Sequence, residues 1–273
     1  MELRGTAGIL TGASRGIGVY LADALASEGV DLALASRSVE DLEKTAARIA
    51  RHGTKVICVP TDVTRREDLD NLVDRATSEL GPIDLLVNNA GVERYAPFHE
   101  YDFDAIGQIM QTNIVSVQWL TRMVLPSMVE RKRGHIANIA SVAGKMAVPY
   151  NSVYSASKHA LVGFSWSLRE ELMKYGVGVS VICPGFVAEA GMFADWSKGK
   201  RPPGLATTVD PEEVASETIE AIVKNRGEVI VASPMMKLTK VMPHGVSGAV
   251  GRKSGGFTFL EKVAVEAWKE DPK

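Results

Sequence analysis

"TGASRGIG", residues 11–18, follows a short apolar run at Ala7 to Leu10 and places glycines at positions 12, 16 and 18. Glycine permits a tight turn and lets the backbone come close to a pyrophosphate, while the free amides at the start of a helix supply the positive end that an anion needs. A strand running into such a turn and then into a helix is the arrangement a dinucleotide phosphate requires; any strand-to-helix turn can also call for glycine, so the pattern alone leaves both readings open.

Working outward, short apolar runs suited to buried parallel strands recur at Ala7 to Leu10, Asp31 to Ala35, Lys55 to Val59, Ile83 to Val87, His135 to Ala140, Gly178 to Cys183 and Glu228 to Val231. Amphipathic segments lie between them. Ser38 with Asp41 and Thr64 with Glu67 fit capping boxes, and Asp210-Pro211 followed by Glu213 combines an N-cap, a first-turn proline and an acid near the helix dipole. Strand and helix alternate, which predicts an α/β fold: a single-domain, doubly wound, seven-stranded parallel sheet with its ligands beyond the carboxyl ends of the strands. Two regions leave the rhythm, a lid-like loop over Phe186 to Val209 and a tail from Pro234 onward. The expected division is a dinucleotide-binding and catalytic domain over 1–233 and a C-terminal segment over 234–273.

Composition narrows the classes. Of 273 residues, 45% are hydrophobic and 23% charged, as in ordinary globular proteins, and the net charge is −2 with no long basic patch for nucleic acid. The short cluster Arg131, Lys132, Arg133 reads as the cationic end of a helix. Cys58 and Cys183, each in an apolar run, read as reduced core thiols, and the five histidines show no metal-ligand spacing. "MELRGTAGIL" enters a strand without the features of a signal peptide, and no apolar run reaches membrane-spanning length. A cytoplasmic enzyme without metal is expected.

The end of the second strand reads "ALASRS". Ser36 stands where an acid would hold the 2′-hydroxyl of NAD, and Arg37, with Arg15 in the glycine turn, can meet the 2′-phosphate of NADP. NADP(H) is the expected cofactor.

In "SVAGKMAVPYNSVYSASK", residues 141–158, Tyr154 and Lys158 are four apart, so a helix sets them on one face, ~5–6 Å from each other. Hydride transfer to a ketone leaves an alkoxide that needs a proton, and a phenol can give it. A free tyrosine titrates at about 10, and a nearby ammonium with the oxidised nicotinamide is expected to bring it down. Ser141 can hold the substrate oxygen, and Asn113, within "IMQTNIVSV", can open its helix locally. Singly, these residues also fit a core aromatic, a surface lysine, a cap and a helix irregularity.

Taken in order, "TGASRGIG", "TDV" at 61–63, "NNAG" at 88–91, Asn113, Ser141, Tyr154 with Lys158, and "PG" at 184–185 resemble the short-chain dehydrogenase/reductase family over residues 5 to about 232. The resemblance implies a Rossmann-type fold and a catalytic set of Asn113, Ser141, Tyr154 and Lys158, with Asn113 positioning a water that relays protons to Lys158. It also implies cofactor contacts from Gly12, Ser14, Arg15, Gly16, Ile17, Gly18, Ser36, Arg37, Asp62, Val63, Asn89, Ala90, Gly91, Tyr154, Lys158, Pro184, Gly185 and Val187, with Asp62 on the adenine amino group and Asn88 to Gly91 flanking the ribose. One departure is Glu189, where the family commonly has a threonine for the nicotinamide amide; a carboxylate cannot donate that bond unless protonated.

Substrate-facing candidates are small or apolar: Ala143, Gly144, Met146, Val148, Pro149 and Tyr150 after the serine, then Phe186, Met192, Phe193 and Trp196 in the loop. They suit a lipophilic ketone or secondary alcohol. Lys198, Lys200 and Arg201 keep open a 3-oxoacyl thioester on an acidic carrier. A non-catalytic NADP-binding regulator is the alternative from another class. The tail, with its amphipathic run Leu260 to Trp268, is expected to cover the site, to join a subunit interface or to touch a membrane, in that order. The helices around 102–131 and 154–175 resemble the family's dimerisation surface, which implies a homodimer or homotetramer.

Overall fold

In the computed structural model, the described residues are 1–188, 191–192, 207–237, 258–259 and 261–262. They form a seven-stranded sheet in the order β3-β2-β1-β4-β5-β6-β7, with parallel pairing throughout. The strands are β1 (Ala7–Thr11), β2 (Asp31–Ser36), β3 (Val56–Pro60), β4 (Ile83–Asn88), β5 (Gly134–Ile139), β6 (Val177–Pro184) and β7 (Glu228–Val231). Each expected run lies within a residue or two of an observed strand.

Side chains alternate across the pleat, so the same strands feed two cores. Leu10, Leu32, Leu34 and Ile182 meet α1 (Ile17–Ser27), α2 (Val39–Ile49) and α7 (Pro211–Val223) on one face. Ile9, Ala33, Ala35 and Val179 meet α3 (Arg66–Leu80), α5 (Ser116–Arg131) and α6 (Ser152–Leu172) on the other. Helix α4 (Phe103–Met110) packs beside α6, with Ile109 and Val153 in a smaller cluster. Chain order reverses on either side of β1, and this switch point opens a crevice at the carboxyl ends of β1 and β4.

The helix starts follow the sequence unevenly. Ser38 caps α2 as expected, its Oγ accepting from the Asp41 amide at 3.3 Å and donating to Asp41 Oδ2 at 2.8 Å. Asp210 precedes α7 with Pro211 in its first turn, but its side chain makes no capping bond. Thr64 does not cap α3. Its amide and hydroxyl both donate to Asp62 Oδ1, at 2.9 and 2.7 Å, and α3 begins after Arg65 instead. A local side-chain turn thus outcompetes the expected capping box.

At the end of α5, Lys132 turns left-handed, and Arg131 and Arg133 reach Asp84, which is nearly buried. Cys58 is half-buried and Cys183 buried, both free. Among the described residues, no helix is long and apolar enough to cross a membrane.

Candidate active site

The glycine turn is built by close approach. Gly12 and Gly16 have φ of 65° and 58°, in the left-handed region where a side chain is strained. A Cβ on Gly12 would lie 2.9 Å from Ala90 Cα, and one on Gly18 only 2.0 Å from the Gly12 carbonyl oxygen. The turn is stitched to the end of β4: Asn89 Nδ2 donates to the carbonyls of Thr11 and Gly12 at 3.0 Å each, while Thr11 Oγ1 accepts from the amides of Asn89 and Ala90 at 3.1 Å. Helix α1 has no side-chain cap, so its first amides face the crevice as an anion site does.

A cavity of about 730 Å³ runs along this crevice. It is lined by Gly12, Ser14, Arg15, Gly16 and Ile17 of the turn, Ser36 and Arg37 after β2, Asp62 and Val63 after β3, and Asn89, Ala90 and Gly91 after β4. These expected contacts therefore meet in one place. Gly18, Tyr154, Lys158, Pro184, Gly185 and Val187 are not in its wall; Gly18 serves the packing of α1 on the turn, and the others lie past the Gly91 end or on β6 and the segment after it. Asn88, expected beside the ribose, turns into the core and donates to Asn138 Oδ1 at 2.9 Å, because the last residue of β4 faces β5.

Further residues that the sequence reading missed also line it, among them Tyr20, Ser38, Asp41, Arg48, Thr61, Thr64, Gln108 and Thr112. Arg48 lies over the Tyr20 ring, 5.2 Å from its centre, and lines the same cavity as Arg15 and Arg37. Its helical spacing on α2 was the available signal. The Asp62 carboxyl is desolvated, yet hydrogen bonds from Thr64 and the charges of Arg37 and Arg65 outweigh burial and hold it below its usual range.

Beyond Gly91 lies the second group. A Cβ on Gly91 would be 3.6 Å from Lys158 Nζ and 3.4 Å from Asn113 Oδ1, so the cavity ends against that group. Ser141 follows β5, its Oγ accepting from the Ala143 amide at 3.1 Å at the start of a 3₁₀ turn over Val142–Gly144. Tyr154 and Lys158, on one face of α6, are buried, and the phenol is hydrogen-bonded to Ser141. Lys158 Nζ donates to the Ile139 carbonyl at 2.9 Å and stands 5.5 Å from the centre of the Tyr154 ring.

Asn113 sits in a π-helical turn, Gln111–Val115, between α4 and α5. Its Oδ1 accepts from the Val92 amide at 2.8 Å, and its Nδ2 donates to the Val92 carbonyl at 2.8 Å and to Ser157 Oγ at 3.0 Å. The wider turn thus ties the segment after β4 to α6.

Burial, with a contribution from the Glu93 carboxylate, drives the Tyr154 phenol far above its usual value, against the Ser141 hydrogen bond. Burial also pulls Lys158 down to about 8, with Cys183 and Glu93 opposing. The lowering of the phenol is expected from the ammonium together with the oxidised nicotinamide; burial by itself acts the other way, because desolvation penalises tyrosinate.

The substrate candidates divide. Tyr95, Val148, Tyr150 and Phe186 form an apolar cluster joined by Phe259 of the tail, and Met146, Phe186 and Met236 form another with Val142 and Ala232. Tyr150 has a φ of 64° and hydrogen-bonds Glu261. Ala143 is buried, and Gly144 packs on α6, where a Cβ would meet the Lys158 carbonyl at 2.6 Å. Met192 lines the dinucleotide cavity instead, beside Gly191, whose backbone lies against Gly16. Pairing of Val187 with Val209 draws the two ends of the loop together. Glu189, Phe193, Trp196, Lys198, Lys200, Arg201 and the run Leu260 to Trp268, apart from Glu261 and Lys262, lie outside the described residues. Glu93, Asn151 and Tyr95 were missed; a lone acid after a turn of small residues was the only hint.

The family model for short chain dehydrogenase matches residues 7–201. A ketoacyl reductase, HetN, of Nostoc sp. is 44% identical over 242 residues, covering 88% of this chain and 84% of that protein. An uncharacterized oxidoreductase of Staphylococcus saprophyticus is 35% identical over 81% of this chain and 93% of its own length. A variant of actinorhodin polyketide ketoreductase solved with NADPH superposes with a TM-score of 0.80 at 30% identity, over 85% of this chain and 97% of that one. A short chain dehydrogenase/reductase from Burkholderia phymatum in complex with NAD gives 0.79 at 29% identity, over 88% and 94%. Fold and cavity define a nicotinamide-dependent oxidoreductase. The chain belongs to the short-chain dehydrogenase family.

Proposed function

We propose that this oxidoreductase uses NADPH to reduce a lipophilic ketone to a secondary alcohol, reversibly, with Tyr154 as the proton donor. The observation that carries the reading is the buried Tyr154 phenol, hydrogen-bonded to Ser141 and flanked by Lys158 where the dinucleotide cavity ends. When bound, the reduced nicotinamide supplies the hydride to the carbonyl carbon. As the carbonyl π pair moves onto oxygen, the Tyr154 O–H gives its proton to that oxygen, and Ser141 Oγ holds the same oxygen in line. A phenol kept protonated by burial suits donation; in the reverse direction the oxidised ring is the added cation that favours tyrosinate. Lys158 fixes the charge beside the phenol, and Asn113 holds the π turn against α6.

NADPH is favoured over NADH because Ser36 replaces an acid and Arg15, Arg37 and Arg48 line the cavity. Related proteins have been solved with either dinucleotide, so the assignment rests on these residues. Reduction of a 3-oxoacyl thioester is the second reading, favoured by the 44% identity to a ketoacyl reductase. A panel of cyclic ketones and 3-oxoacyl thioesters separates the two.

The same proposal takes residues 1–233 as one domain and the tail as a wall of the substrate site, supported by the packing of Phe259 and the bond of Glu261 to Tyr150. It also includes a cytoplasmic setting, in keeping with two free cysteines, and a homodimer or homotetramer through α5 and α6, where Trp119 and Trp166 are exposed. Tyr154→Phe should bind NADPH with unchanged affinity by fluorescence titration and lose turnover by about 10²-fold or more. Retention of most of the parent kcat would overturn the reading.

A further inference from the structure

The turn that follows Ser141 is anchored by a charge pair that no step above uses. The 3₁₀ turn over Val142–Gly144 closes on its next residue: the amide of Lys145 donates to the Val142 carbonyl at 2.9 Å, and that of Gly144 to the Ser141 carbonyl at 2.9 Å. The Lys145 side chain then reaches past β6 to the edge strand β7. Its Nζ donates to Glu228 Oε2 at 3.1 Å and lies 4.2 Å from the centre of the Trp166 ring on α6. Both side chains of the pair are only 10% exposed. Glu228 and Ile230 alternate onto the same face of β7, and Ile230 joins Val142, Met146 and Ala232 in one apolar cluster. On its other side the turn rests on α6, where Gly144 leaves no space for a Cβ against the Lys158 carbonyl.

We propose that Lys145, held by Glu228 and Trp166, is a positioning residue that fixes the turn after β5 and so keeps Ser141 Oγ on the oxygen of the reacting carbonyl. This rests on Ser141 holding that oxygen while Tyr154 protonates it. Two charges taken out of water add little net stability over apolar side chains of the same volume, because lost hydration offsets their attraction. What the pair adds is direction. A lysine bonded at its tip and stacked on an indole holds one place, and its own amide closes the turn, so a shift of Lys145 is passed to Ser141 within four residues of chain.

Lys145→Met tests this, since it keeps an unbranched side chain and removes the bond to Glu228. With saturating NADPH and a cyclic ketone that the parent reduces, kcat should fall by about tenfold, because a small misplacement of a group that orients the substrate is costly. The dissociation constant of NADPH should stay at the parent value. Lys145→Arg, which can meet the same carboxylate and the same ring, should recover most of the loss. The deciding measurement repeats Lys145→Met in Ser141→Ala. Because the lysine acts through the serine, kcat should fall there by about twofold at most, whereas general loosening of the fold costs the same factor in both backgrounds. That equal loss, or a parental kcat in Lys145→Met, overturns the proposal. If Lys145→Met melts too low to assay because Glu228 is left without its partner, the same comparison is made with Lys145→Met/Glu228→Gln, from which both charges are gone. A parental kcat in Ser141→Ala alone would instead remove the reading on which the proposal stands, so the two failures are distinguishable.

Discussion

Gly18 and Arg37 mark the two ways in which a residue's part was legible. The family resemblance implied cofactor contacts from all three glycines of the turn; of these Gly12 and Gly16 line the cavity, while the room around Gly18 is taken by the Gly12 carbonyl and this glycine seats α1 against the turn. A spacing pattern reports that small residues are needed; it does not distinguish a ligand's demand from a helix's. Arg37 was legible because it stands in place of an expected acid, and it lines the cavity at its expected position. Arg37→Asp should raise the KM for NADPH by about tenfold or more, with little change for NADH, since it removes a cation near the 2′-phosphate and adds a repulsion. Steady-state kinetics with both dinucleotides check this, and an unchanged preference would refute the NADP assignment. Glu93 was not legible, because a single acid after a turn is most often solvated, and only the fold brings Asn151 to it.

At the scale of elements, the strands were read well because runs buried on both faces are nearly uninterrupted in their hydrophobicity. Helix starts were less legible where two local bonding patterns compete, as Thr64 illustrates by joining Asp62 instead of capping α3. The tail could not be placed from sequence. Its amphipathic character is satisfied equally by an interface, a lipid surface or a neighbouring loop, and the choice depends on which apolar cluster lies within reach. Phe259 meets Tyr95, Val148, Tyr150 and Phe186, the aromatic side of the proposed substrate region. Phe259→Ala should therefore raise the KM for a bulky cyclic ketone several-fold, and leave the dissociation constant of NADPH as it was. Equal losses for ketone and dinucleotide would point to general loosening of the fold instead.

The molecule as a whole gathers its chemistry at one edge of the sheet and its stability in the middle. Near the opposite ends of the strands, His135 on β5 is buried, its Nε2 2.8 Å from Ser180 Oγ. Burial, with smaller contributions from the amino terminus and Arg169, pushes its pKa down to about 3. The folded state therefore resists protonation of a group that the unfolded chain protonates near pH 6.5. The stability contributed by this neutral histidine is complete above pH 6.5 and is lost as the pH falls toward 3, at up to about 1.4 kcal/mol for each pH unit. Urea unfolding between pH 7 and 4 should show that decline, and His135→Asn should flatten it. An identical slope in the variant would place the acid sensitivity elsewhere.

The pairing of Val187 with Val209 has a consequence for how such a chain can diversify. Both valines are buried, and the amide of Ala188 donates to the Val209 carbonyl at 2.9 Å while that of Val209 donates to the Phe186 carbonyl at 2.8 Å. This knot closes the two ends of the span in between, so that beyond Gly191 and Met192, which line the dinucleotide cavity, its length and chemistry can be exchanged without disturbing the register of the neighbouring strands. Replacing the part of that span past Met192 with one from another reductase is a route to a new choice of ketone with the dinucleotide cavity left as it is.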